Sequence, residues 1–459
     1  MRPAAEAEKV LGIPAVVVTL PGFNTVGKLT AKASGVPDLK LVEYPGAVGL
    51  DHHEIRGKIK DVLFDRIVDA LTKPVEATTV PKADVWNSKA IVATGTYDEI
   101  NEAFFEKEWT DGLPITPPTL KRVEAFLKFT DRAPDEVIAV LPQANLRATV
   151  WNIAANGVMA GCKPQHMPLL IAMAEALQED KFNLNNIGTT WGIMPYVIIN
   201  GPLVKQLGIN SGAGLISRGA NPVLGRALGL IIRNIGGYRP ALNQMGSYGY
   251  PISYCLAENE DLSPWEPLHV ERGFDRNAST VSIGTTLNWG YSPSPYARED
   301  KTGAECALEV ICRDVVRKPC LGLFAEVGPT GFVNDVVFAI TPPVAKSLAD
   351  AGYSKNDIKE YVAKNARVTL GYMKYELAYT MAMTTTVEEK LALGMFPQDY
   401  ECGDDDLVPI IPGADHVEII VSGDPGRNRI KTMDSGYTRL TTREVKLPKN
   451  WDELMKGSR

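Results

Sequence analysis

IPAVVVTL, residues 13–20, is a short run of β-branched and aliphatic side chains that stops at Pro21-Gly22. An apolar run of this length, closed by a turn dipeptide, is what a strand covered on both faces requires. PGFNTVGKLTAKASG (21–35) follows with helical spacing and a terminal glycine. LKLVEYP (39–45) reads as a second strand, and HEIRGKIKDVLFDRIVDALTK (53–73) as an amphipathic helix with apolar residues at 59, 62, 63, 67, 68 and 71. The β-α-β-α order implies a parallel sheet. A series this short cannot cover a sheet on both sides, so residues 1–74 are expected to form a partial α/β domain, half of a doubly wound parallel sheet.

Working outward, KPVEATTVPKADVWNSKAIVATGT (73–96) mixes Pro, Thr and charges, and 75–96 reads as a linker. From 97 to 459 the βαβ rhythm is lost and a large mixed α+β domain is expected. Helices are predicted at 97–107, 119–130, 148–161, 167–179, 220–235, 302–316, 342–351 and 354–365. Strands are predicted at 136–141, 195–200, 279–285 and 416–422. The overall class is α/β.

The chain has 459 residues, enough for two domains, one of them large. A net charge of −7 offers no general attraction to nucleic acid or to anionic membranes. No apolar run approaches the roughly 18 residues needed to span a bilayer, and no signal-peptide cleavage pattern is present, so a cytoplasmic location is expected. Six cysteines without a CxxC and five scattered histidines argue against a disulfide framework and a zinc site. No metal site is assigned. The acidic runs at 258–261 and 404–406 leave oxygen-ligated Mg2+ or Ca2+ open, and the cofactor is unknown.

Three stretches carry candidate chemistry. In ANGVMAGCKPQHMPLLIAMAEAL (155–177), Cys162 and His166 stand four apart across a break between two helices, Gly161 ending one and Pro168 opening the next. They are either an activated thiolate with its base or a buried cysteine and a turn histidine. In GINSGAGLISRGANPVLGRALGLIIRNIGG (208–237), a glycine-rich loop leads to a helix start flanked by arginines, a pattern that suits a carboxylate or phosphate. Asn210, Ser211, Arg218, Asn221 and Arg226 are its candidate ligands, with Asp111 of WTDGLPITPPT (109–119) presented by a rigid turn. The third, SYCLAENEDLSPWEPLHVERGF (253–274), places Glu258, Glu260 and His269 in one irregular stretch, either an acid–base set or a salt-bridged lid. HVEIIVSGDPGRNR (416–429) reads as a strand entering a hairpin turn.

These motifs together resemble the UGSC-type (seleno)protein family, named for a selenocysteine-Gly-Ser-Cys motif, joined to its large companion domain. GIPAVVVT and GVPDLKLVEYP carry the first part of the resemblance. WTDGLPITPPT, NGVMAGCKPQHMP, VIINGP, GINSGAG, GRALGLIIRNIGG and ENEDLSPWEPLHVERGF carry the second. The resemblance implies a redox motif immediately upstream of the segment equivalent to residues 4–20. No UGSC or CGSC stands in this chain, so it implies a separate N-terminal polypeptide with a Cys or Sec motif as partner, or a start downstream of the motif.

The expected function is that of an enzyme, or a large enzyme subunit, acting on a small anionic substrate by thiol- or selenol-dependent redox or bond-cleaving chemistry. Cys162 and the 258–269 stretch would line the cleft, and an oligomer is expected. The alternatives are an acid–base lyase or hydratase using Glu258, Glu260 or His269, and a non-catalytic binding subunit that completes a redox partner.

Overall fold

The computed structural model describes all residues except 50, 74–88, 143–144, 189, 251, 318–334, 381–385, 436–437 and 458–459. Most of the expected linker 75–96 therefore lies outside the described residues.

The first part holds the expected series with one helix ahead of it. Helix α1 (Arg2–Leu11) opens on Pro3 and ends at Gly12, whose φ of 65° is the left-handed conformation glycine supplies. Strand β1 (Val16–Thr19), α2 (Asn24–Ala33), β2 (Lys40–Glu43), α3 (His52–Lys58) and α4 (Phe64–Thr72) follow, with a π-helical turn joining the last two. β1 and β2 pair in parallel, Val16 opposite Lys40. Strand alternation sends Val17 to the side of Ala5, Ala31 and Leu39, and Val16 to the side of Val42, Tyr44 and Leu63. Each face thus carries a small apolar cluster, with α1 joining α2 on one side, but Val16 and Val17 stay only half-buried, as a partial sheet leaves them. Two strands make only a narrow sheet, and Val18 remains 45% exposed.

In the large body, Thr96 and Glu99 form a reciprocal cap on α5 (Tyr97–Glu106). It is followed by α6 (Leu120–Leu127), the antiparallel pair β3 (Val137–Leu141) and β4 (Leu146–Thr149), α7 (Val150–Ala160) and α8 (Met167–Leu177). Next come β5 (Met194–Asn200), α9 (Leu203–Gln206), α10 (Asn221–Asn234), β6 (Tyr254–Ala257), α11 (Leu268–Glu271), β7 (Thr280–Thr286) and α12 (Gly303–Val316). Then stand β8 (Val336–Ile340), α13 (Pro342–Asp350), α14 (Lys355–Asn365), β9 (Arg367–Thr369), β10 (Leu407–Pro409), β11 (Val417–Val421), β12 (Ile430–Asp434) and β13 (Thr441–Glu444). The expected helices and strands of this body match these elements within a few residues, and the α/β class holds.

One sheet has the order β13-β7-β5-β6 and a second the order β11-β8-β12. Side-chain alternation stacks them. Tyr196 and Ile198 of β5 meet Val337 and Ala339 of β8 and Ile420 of β11 in one apolar layer. The opposite side chains, Val197 and Ile199, join α7, α8 and α10, whereas Val336, Phe338 and Ile340 join α12, α13 and α14. The body is thus helix, sheet, sheet, helix, and strands such as β5 are buried at every position. Each fully buried aliphatic side chain contributes about 1.5–3 kcal/mol relative to exposure.

The hairpin expected at 416–429 is corrected. β11 pairs with β8 in parallel and β12 pairs with β8 antiparallel, so β8 separates them and residues 422–429 cross its end.

Candidate functional site

Cys162 follows Gly161, the left-handed residue (φ 86°) that ends α7, and its amide donates back to the Gly157 carbonyl at 3.0 Å. The thiol is buried under the first turn of α10, where Sγ lies 3.4 Å from the Val223 carbonyl. Burial pushes its pKa far above the ordinary thiol value, and the nearby Arg226 offsets little of that. His166 is buried too. Its Nδ1 accepts the Lys163 amide at 3.2 Å, and burial, aided by the Lys163 charge, lowers its pKa to about 4. At neutral pH the pair is therefore a thiol and a neutral imidazole bound to its own turn. Packing of α7, α8 and α10 penalises the anion, which favours the buried cysteine and turn histidine over the activated thiolate.

Glu258, Glu260 and His269 are brought together, but in an enclosed place at the junction of the two sheets. Glu258, 1% exposed, accepts from Asn200 Nδ2 (2.7 Å), the Leu268 amide (2.8 Å) and the Val421 amide (3.4 Å), with Lys355 Nζ at 3.5 Å. Lys355 also donates to Glu271 Oε2 and to the Glu266 carbonyl, both at 2.7 Å. Burial alone would lower the Lys355 pKa, yet Glu258 and Glu271 outweigh it and hold it above the ordinary value. Lys359 and Arg272 extend the network to Glu418 of β11. Glu260 accepts the Gly201 amide (2.7 Å) and Asn200 Nδ2 (3.2 Å), and its Oε1 stands 3.7 Å from His269 Nδ1. His269 Nε2 faces the Arg276 carbonyl at 3.3 Å, so it carries the proton. These groups clip β6 and α11 to α14 and β11. Trp265, whose indole donates to the Tyr353 carbonyl at 2.9 Å, does the same.

The 208–221 loop is held from inside. Asn221, fully buried, accepts the Asn210 amide (2.6 Å) and donates to the Asn210 carbonyl (2.9 Å) and the Cys255 carbonyl (3.2 Å). Asn210 Nδ2 donates to the Ala213 and Leu215 carbonyls. The Ser211 carbonyl accepts from the Gly423 amide, and Arg218 is exposed with its stem over Gly214. Asn210 and Asn221 thus spend their side-chain amides on shaping the loop, and Ser211 contributes its backbone carbonyl to the same end.

Asp111 and Arg226 meet. Arg226 Nε and Nη2 donate to the two carboxylate oxygens of Asp111, each at 2.8 Å, and Nη2 also reaches the Pro114 carbonyl at 2.9 Å. This bidentate pair forms the wall of a cleft of about 130 Å3. Pro195, Tyr250 and Ser253 stand across from it, and Arg233, two helical turns beyond Arg226, enters the same cleft. The helix lies close to β6 because Gly225 and Gly229 face it. A Cβ on Gly225 would stand 2.5 Å from Tyr254 Cα, and one on Gly229 3.2 Å from Ser253 Oγ. Arg233 Nε donates to the Glu108 carbonyl at 2.9 Å, and among the described residues its two Nη groups make no hydrogen bond. Burial, followed by Arg239, lowers its pKa against Glu108 and Asp111. Burial pushes the Tyr250 phenol up to about 12, so it remains a donor at neutral pH.

Cys162, Glu258 and Arg218 are not among the residues of this cleft. Arg233, Tyr250 and Ser253 are, and of these only Arg233 had a sequence signal, its seven-residue spacing from Arg226. Among the described residues no group of three or more His, Cys, Asp or Glu side chains is placed to hold a metal ion, and no helix is long and apolar enough to cross a membrane. Compared with known proteins, the chain matches no family model, no curated protein and no solved structure.

Proposed function

We propose that this chain is the substrate-holding body of an enzyme that acts on a small organic anion seated in the α10 cleft. The observation that carries the reading is the pairing of one neutralised and one unspent arginine on a single helix face: Asp111 consumes Arg226, and Arg233 keeps its outer N–H groups for a ligand. A guanidinium presented in a small, half-buried cleft favours a planar carboxylate. Tyr250 and Ser253 supply further polar groups beside it.

With Cys162 held as a buried thiol and Glu258 and Glu260 engaged by amides, the bond-making group comes from outside these residues. The resemblance to the UGSC-type family supports a Cys or Sec motif on a separate polypeptide as that group. The free thiols of Cys162, Cys255, Cys306, Cys312 and Cys402 suit a reducing compartment, in keeping with a cytoplasmic enzyme.

The test is calorimetric titration of the chain with acetate, glycolate, malonate and succinate. At least one is expected to bind, and Arg233→Gln to weaken it about tenfold or more while the thermal unfolding temperature stays within a few degrees. Equal binding by Arg233→Gln and the native chain, or no binding at tens of millimolar, sinks the assignment.

A further inference from the structure

Arg233 stands in an apolar frame. Ile193, Pro195, Ile232, Pro240 and Ile252 line the α10 cleft with it, and Gly229, between Arg226 and Arg233 on the same helix face, leaves the floor without a side chain. At about 130 Å3 the cleft is slightly smaller than the roughly 150 Å3 that admits benzene, so a ligand of about five to seven non-hydrogen atoms fills it. A carboxylate head on Arg233 accounts for part of that room. The rest of the ligand has isoleucine and proline side chains for neighbours.

The charge of the cleft is equally restrictive. Its ionised lining groups are one acid, Asp111, and two bases, Arg226 and Arg233, so a single positive charge is left over. Asp111 takes Nε and Nη2 of Arg226, and Nη2 is shared with the Leu113 and Pro114 carbonyls. The remaining polar side chains, Gln244, Tyr250 and Ser253, are uncharged at neutral pH, the Tyr250 phenol because burial pushes it up to about 12. One carboxylate is thus balanced by Arg233. A second would leave water only to lie against isoleucine or beside the carboxylate of Asp111, and either neighbour disfavours it.

Given an anion on Arg233, as proposed above, we infer that the cleft selects a short monocarboxylate with a branched aliphatic body and rejects dicarboxylates. The carboxylate sits on the outer N–H groups of Arg233, and the branched end displaces water from the isoleucine and proline wall.

Isovalerate and malonate are probes of equal size, one carrying an isopropyl group where the other carries a second carboxylate, and acetate is the head group alone. Each methylene withdrawn from water is worth about fourfold in affinity. Titrated calorimetrically into the full chain at slightly alkaline pH, where malonate is a dianion, isovalerate is expected to bind at least about tenfold more tightly than either acetate or malonate. Ile252→Ser, at a position 50% exposed where the fold is not at stake, is expected to weaken isovalerate several-fold and to leave acetate within about twofold. Asp111→Asn is expected to narrow the preference for isovalerate over malonate. Equal affinity for isovalerate and acetate, or malonate at least as tight as isovalerate, overturns the inference; where Arg233→Gln still weakens all three, the anion site itself stands. No binding by any of the three, or binding indifferent to Arg233→Gln, removes the anion site and the inference together.

Discussion

The Glu258–Lys355 network and the α10 cleft both gather opposite charges around a bend in the chain, and they serve opposite ends. In the network Glu258 accepts from four directions and Lys355 donates in three, at side chains that are 0% and 3% exposed. In the cleft the Asp111–Arg226 pair is partly open, at 19% and 16%, and Arg233 keeps donors in reserve. A closed set of charges is a fastening. A set with one surplus donor facing a cavity has what a binding site needs.

The contrast is broken most strongly at Lys355. Lys355→Met leaves Glu258 and Glu271 buried without their cation, and the loss expected from urea unfolding is about 3–5 kcal/mol. A loss under about 1 kcal/mol would show that the network is solvated and not a fastening.

His166 is next, through pH. Its folded pKa of about 4 lies below the ordinary value of 6.5, so the unfolded chain binds a proton between these values that the folded chain refuses. The associated stability is fully present above pH 6.5 and is lost as pH falls toward 4, at up to about 1.4 kcal/mol per pH unit, roughly 3 kcal/mol in all. His166→Asn, which keeps an acceptor for the Lys163 amide, is expected to flatten this part of the pH–stability curve. An unchanged slope between pH 6.5 and 4 would assign the loss elsewhere.

Asp111→Asn sharpens the other side. It costs about 1–2 kcal/mol of stability by removing a charge-assisted pair, and it releases Arg226, so malonate is expected to bind several-fold more tightly than to the native chain. Weaker binding would mean that Asp111 itself contacts the ligand. The smallest effect is expected at Cys162. Under native conditions iodoacetamide should modify the exposed Cys402 and spare Cys162 and Cys255, as read by peptide mass spectrometry. Rapid labelling of Cys162 would restore the thiolate reading.

Much of the fold was legible where the signal is local. The helix expected at 148–161 is Val150–Ala160, and the strand expected at 195–200 is Met194–Asn200, because periodicity and caps act within a few residues. Ile430–Asp434 and Thr441–Glu444 were not legible. Their buried and half-buried polar groups are satisfied from far away, Thr432 by Asp314, Asp434 by Thr286 and the half-buried Thr442 by Ser282, so no hydrophobic pattern marks them. Val336–Ile340, as apolar as Met194–Asn200, was open to the same reading and was missed. In the site, the spacing of Arg226 and Arg233 could be read directly, whereas the meeting of Asp111 with Arg226 spans 115 residues and leaves no trace in either stretch.

By itself the sequence determined the β-α-β-α opening, the helices of the large body, and which side chains are able to carry charge or a thiol, because these depend on residue type and near neighbours. Tertiary structure alone decided which of them are available. Cys162 has a thiol's chemistry on paper, but the contact of α7, α8 and α10 removes the water that would stabilise its anion. Arg233 looks like any helix arginine, but the close approach of α10 to β6 gives it a cleft to face. Reactivity and binding follow burial, and burial is settled by residues far apart in the chain.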